Sequence, residues 1–176
     1  VTLFNALITL AEFVGGILSN SLSLVSDAVH NLGDTIAIAF AYIAQRISKR
    51  EANAHYTFGF KRAEVLAAFI NAAVLLGICL FLMKEAYTKW QNPEEIKGEL
   101  MITIAAIGLL GNLASILVLN KDKGENMNTR AAYLHVLGDT LSSVAVVVGG
   151  IAIWKYNIIW IDPLITATVS IYIIYS

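Results

Sequence analysis

Two histidines and two aspartates recur in this chain at one spacing. His30-Asn31-Leu32-Gly33-Asp34-Thr35 is matched by His135-Val136-Leu137-Gly138-Asp139-Thr140, each inside a strongly apolar run. On an α-helix, residues i and i+4 lie on one face, about 6 Å apart along the axis. His30 and Asp34 therefore point into a common space, and so do His135 and Asp139. Imidazole nitrogen and carboxylate oxygen, with no thiolate or thioether among them, suit Zn2+ and nearby divalent transition metals and disfavour Cu(I). An all-oxygen shell would instead suit Mg2+ or Ca2+. Zinc is the leading ion for such a set, with Co2+ and Cd2+ as further candidates, and no organic cofactor is expected.

The elements that must position these groups follow from composition. The chain has 176 residues, of which 57% are hydrophobic and only 14% charged, and its mean hydropathy is +0.69. These values describe a membrane protein. Apolar runs fall roughly at 1–19, 22–46, 64–88, 98–120, 129–154 and 158–175, and a bilayer core takes about 20 residues of helix to cross. The runs are too long and too uniformly apolar for barrel strands, which alternate over about 10 residues. The expected fold is an all-α membrane protein, a six-helix transmembrane bundle filling residues 1–176.

Charge sets the orientation. Arg46, Lys49, Arg50, Lys61 and Arg62 flank the connection between the second and third helices, and Lys121, Lys123 and Arg130 that between the fourth and fifth. Lys84, Lys89, Lys97 and Lys155 fall on the opposite side, among Glu85, Glu94, Glu95 and Glu99. By the positive-inside rule the first group is cytoplasmic, and with it the N- and C-termini. Trp90, Trp154, Tyr156 and Trp160 suit interfacial anchors. A net charge of −1 offers nothing to a polyanion, so no nucleic-acid partner is expected. Cys79 is the sole cysteine; it can form no internal disulfide and reads as a small core residue. The first apolar run has no basic leader or cleavage site and does not read as a signal peptide. Both ends stop inside apolar sequence, so the chain is expected to be the membrane part of a longer protein.

The second helix runs inward and the fifth outward. An antiparallel meeting would put His30 near Asp139 and Asp34 near His135, closing one four-ligand shell. Helix boundaries set the two pairs about 10 Å apart in depth at 1.5 Å per residue, so a single site requires the helices to be offset. Ionisable groups near a bilayer centre cost at least about 2.5 kcal/mol each, which makes them functional candidates. Two separate structural His-Asp pairs are the bland alternative.

The stretch from Ser21 to Asp34 (Ser-Leu-Ser-Leu-Val-Ser-Asp-Ala-Val-His-Asn-Leu-Gly-Asp), Gly59-Phe60-Lys61-Arg62-Ala63-Glu64 and His135-Val136-Leu137-Gly138-Asp139 together resemble the cation diffusion facilitators. These are divalent-metal/proton antiporters with six transmembrane helices. The His-and-Asp pattern in both helices resembles the zinc-preferring members, and the short 121–129 connection, without a histidine-rich insert, resembles the bacterial type. The resemblance implies a homodimer that exports metal across the bacterial cytoplasmic membrane, with a soluble C-terminal domain that this chain lacks. Some relatives bind a second metal through a histidine after the Phe-Gly of the second connection. Phe60 stands there in this chain, so that site is not expected, and His55 is left as a lone loop histidine.

Charge counting gives the coupling. Two neutral imidazoles, two carboxylates and Zn2+ sum to zero, and so do two imidazolium ions with two carboxylates. Since unbalanced charge is costly at low dielectric, one zinc should exchange for about two protons, with His30 and His135 as both ligands and proton carriers. Asp27 is either an outer partner of the site or a helix-start residue near Ser21 and Ser23. Glu12, Asn71 and Asn112 are candidates for interhelical bonds or cavity lining, Glu64 for pairing with Lys61 and Arg62, and Gly33 and Gly138 for packing or hinges. Two rival readings are a membrane cytochrome holding haem between His30 and His135, which leaves both aspartates unexplained, and a zinc-sensing scaffold that does not transport.

Overall fold

The computed structural model describes residues 2–48, 62–122 and 127–175. They form six α-helices: α1 (Thr2–Ser19), α2 (Leu22–Ser48), α3 (Arg62–Gln91), α4 (Gly98–Asp122), α5 (Met127–Tyr156) and α6 (Ile161–Tyr175). His55, Phe60, Lys61, Lys49, Arg50 and Lys123 lie outside the described residues, as do the side chains of Arg62, Glu64 and Lys121. By length and composition, Val65–Gln91, Gly98–Asn120 and Arg130–Tyr156 can each cross a membrane, while Ala6–Ser19 and Ile161–Tyr175 are shorter apolar helices. α2 interrupts its apolar sequence with Asp27, His30, Asn31 and Asp34. Large hydrophobics such as Val65, Phe69, Leu110 and Leu117 lie exposed on the outside of the bundle, as expected where the solvent is lipid.

Helices α1, α2, α5 and α4 pack in a ring, α1 on α2 and α4, and α5 on α4 and α2. α3 and α6 pair with each other and both lie against α2. An apolar core of Leu24, Ile96, Met101, Ala105, Val146 and Ile153 fills the end of the bundle where α2 and α6 begin. Gly33 and Gly138 are packing positions inside unbroken helices: a Cβ would overlap Leu75 of α3 at the first and Tyr172 of α6 at the second.

Local chemistry sets the helix ends. α1 stops where Asn20 turns left-handed (φ 59°), a conformation asparagine tolerates better than most residues. Lys89 then caps it, donating to Asn20 O at 2.8 Å and Asn20 Oδ1 at 2.7 Å. Ser21 accepts from Leu24 N at 3.2 Å as the N-cap of α2. α5 ends at a second left-handed asparagine, Asn157 (φ 54°). α6 begins at Ile161 rather than at 158, because residues 157–160 form the return turn. The apolar Ile158, Ile159 and Trp160 extend the expected apolar run back to 158, but hydrophobicity alone does not make a turn helical. Pro163 falls in the first turn of α6, where a missing N–H costs nothing.

α2 starts deep inside the bundle. At 1.5 Å per residue His30 lies about 12 Å from the start of α2, whereas Asp139 lies about 25 Å from the end of α5. This recess supplies the offset that brings the two motifs to one level. It also buries the first turn of α2, whose orphan N–H groups need acceptors. Asp162 of α6 provides them: Oδ2 accepts from Leu22 N at 2.9 Å, and Oδ1 from Ser23 N at 3.1 Å, Ser21 Oγ at 2.7 Å and Ser23 Oγ at 2.6 Å.

Candidate metal centre

The two motifs cross where α2 packs against α5. His30 Nε2 is 3.2 Å from Asp139 Oδ1, and His135 Nε2 is 3.2 Å from Asp34 Oδ2. Within each motif the separations are 3.7 Å, His30 Nε2 to Asp34 Oδ2 and His135 Nε2 to Asp139 Oδ2. The imidazole rings stand edge to face with centroids 6.1 Å apart. One ligand atom from each of His30, Asp34 and Asp139 lies within 4.8 Å of the other two, and His135 joins them from the open side. Bonds of about 2.0–2.1 Å to a tetrahedral ion put neighbouring ligand atoms about 3.3 Å apart, close to the shorter separations here. A porphyrin between the histidines would have to displace both carboxylates from the imidazoles they face.

Exposure grades across the centre. The side chains of His30 and Asp139 are 5% and 8% accessible, that of Asp34 28% and that of His135 48%. Towards the start of α2 the centre is closed. Asp27, fully buried one turn before His30, accepts from Ser142 Oγ at 2.6 Å and Ser143 Oγ at 2.9 Å on α5. Ser143 in turn accepts from Asn112 Nδ2 of α4 at 3.0 Å, an interhelical bond of the kind expected for that asparagine. Asp27 thus makes neither of the bonds to Ser21 and Ser23 that a helix-start role would require; those serines go to Asp162. Beside the centre, a cavity of ≈ 420 Å³ between α2, α3 and α6 is lined by His30, Asp34, Asn71, Cys79, Ile173 and Ile174 among others. Asn71 is placed there as a lining residue.

Sequence reasoning missed three partners. Asp162 carried only the signal of an acid ahead of a proline at a helix start, and nothing local pointed to α2 as its target. Ser142 and Ser143 lie one turn beyond Asp139 on α5, which could have marked them as facing the same space. His30 Nδ1 and Ser26 Oγ, one turn apart on α2, have no hydrogen-bond partner among the described residues.

Six helices, apolar on the outside and polar on the inside, with histidine and aspartate converging from two antiparallel helices, define a multi-pass membrane protein built around buried ionisable groups. Residues 1–176 match the family described as the cation efflux transmembrane domain, and the chain belongs to that family. It is 42% identical over 167 residues to the cadmium, cobalt and zinc/H(+)-K(+) antiporter of Bacillus subtilis, covering 94% of this chain and 54% of that protein. It is 40% identical over 168 residues to the zinc transporter ZitB of Escherichia coli (95% and 54%). Against the metal cation efflux system protein CzcD of Cupriavidus metallidurans the figure is 39% over 165 residues (94% and 52%). The chain spans about half the length of these curated relatives.

Proposed function

We propose that this chain is the membrane part of a secondary transporter that exports Zn2+ from the bacterial cytoplasm in exchange for protons, through a centre ligated by His30, Asp34, His135 and Asp139. Co2+ and Cd2+ are further cargo, in keeping with the metals named for the Bacillus relative. The observation that carries the reading is the crossing of the motifs, each histidine 3.2 Å from the aspartate of the other helix. Two separate structural pairs would leave that reciprocity without a cause.

His30 and His135 exchange the metal's two positive charges for two protons, so the buried centre keeps its charge at both ends of the cycle. Asp34 and Asp139 are the partners that either the metal or the protonated histidines would face. The exposure gradient supports an inward-facing state. His135 and Asp34 lie towards the end of the bundle that the basic residues assign to the cytoplasm, and the Asp27–Ser142–Ser143 contact closes the other route. In the whole protein a second copy of the chain completes a homodimer, which crosslinking in native membranes tests.

Zinc flux into proteoliposomes under an imposed pH gradient tests the function. Transport that disappears in His135→Ala and Asp34→Ala, with the helical content and elution of the parent kept, is the expected result. Zinc binding without flux in the parent protein would favour the non-transporting scaffold instead, and a haem spectrum would favour the cytochrome.

A further inference from the structure

We propose that Glu12 is a second proton-binding site, separate from the metal ligands: a neutral carboxylic acid in this packed state that releases its proton to water when α1 parts from α2 and α4. The proposal deepens the antiport reading and rests on it for the link to zinc. Glu12 sits in the middle of α1 and is 1% exposed. The elements packed on α1 are α2 and α4, and neither brings a cation to it.

From α2 it meets the amide of Asn31, which donates to Oε2 over a long 3.4 Å, and Asp27, a second buried acid. From α4 it meets Gly108, whose missing side chain leaves the space that Oε1 occupies. α4 carries no ionisable residue between Glu99 and Lys121, and α1 has none besides Glu12. Oε1 has no hydrogen-bond partner among the described residues. An ionised carboxylate so placed would be a buried, unpaired charge beside a second acid, at a cost of several kcal/mol. The protonated form removes that charge.

Asp27 differs in just the respects that matter. Both its oxygens accept from serine hydroxyls, and Ser143, which already accepts from Asn112, must point its hydrogen at Asp27. Asp27 has two close donors, whereas Glu12 has one distant amide and a bare Oε1, so of the two acids Glu12 is the one whose site favours the neutral form; two carboxyls whose surroundings separate their protonation states are a recurring device for proton handling. Glu12 is also tied to the centre. Asn31 follows His30 directly, and Asp27 lies one turn before it, so any shift of α2 that opens the zinc site moves both neighbours of Glu12. When water reaches Glu12, its O–H bond breaks, the electron pair stays on the carboxylate and the proton leaves as hydronium.

Two measurements decide it. In infrared spectra of the zinc-free protein, a protonated carboxyl C=O stretch should appear, should shift on carbon-13 labelling of glutamate carboxyls in the parent, and should be missing in Glu12→Gln. The labelling arm needs no substitution and holds even if that variant fails to fold. In proteoliposomes, Glu12→Gln should exchange one proton fewer per zinc than the parent, and Glu12→Asp should restore the count. A parent that moves zinc without protons would sink the antiport reading and the link to transport with it. Insensitivity of the band to the glutamate label, or an unchanged proton count in Glu12→Gln with a coupled parent, would overturn the assignment of Glu12 alone.

Discussion

Removing one histidine of the centre should change how steeply zinc affinity depends on pH, by an amount that follows from the ligand geometry. Metal binding to imidazole requires the neutral form and displaces its proton. Below the titration range of the ligands, each histidine therefore contributes a tenfold loss of apparent affinity per pH unit. Two imidazole nitrogens face the aspartates of the centre, so the limiting slope of log Kd against pH is about two, a hundredfold per unit, or about 2.7 kcal/mol at 1.36 kcal/mol per tenfold step. The sign is fixed: protonation competes with metal, so affinity falls as pH falls. His135→Ala should reduce the limiting slope to about one. His135 is the better probe because its side chain is half exposed, so truncation opens space towards solvent rather than leaving a sealed void, as loss of the buried His30 would. Competition against a zinc-binding dye of known proton affinity, in detergent micelles between pH 5.5 and 7.5, measures both slopes. A parent with pH-independent affinity, or a variant as steep as the parent, would refute the reasoning.

Asp162→Asn keeps the shape of the cap but turns an N–H towards Leu22 N and removes the charge from four bonds. At about 1.5–3 kcal/mol for a hydrogen bond to a charged group, a loss of about 3 kcal/mol is expected in reversible unfolding by denaturing detergent, with zinc ligation chemistry unchanged. Ser142→Ala combined with Ser143→Ala strips both donors from a buried carboxyl and should cost about 2–6 kcal/mol at about 1–3 kcal/mol per unsatisfied oxygen, read in the same assay; stability equal to the parent would mean that Asp27 is not held as a charge.

The six helices were legible because lipid enforces long apolar runs, and the repeated His-x-x-x-Asp was legible because i and i+4 share a helix face. The level at which the motifs meet was not. Equal spans across one slab put them at different depths, whereas the real offset comes from α2 beginning inside the bundle, a tertiary choice made by Asp162, which is 140 residues from Leu22. Asp27 and Glu12 could be recognised as intramembrane acids from sequence alone. Their different roles could not, because what separates them is which neighbours reach them: two serines of α5 in one case, a glycine of α4 in the other.

The cap that Asp162 places on α2 also orders the biogenesis of this protein. α2 leaves the ribosome well before α6, yet the first turn of α2 finds its acceptors only when α6 has docked. Until then its amides must keep water or stay near the headgroups, so α2 can sink to its final depth, and the two His-x-x-x-Asp motifs can come level, only once α6 is in place. A nascent chain stopped before Asp162 would carry every proposed zinc ligand and still hold them out of register.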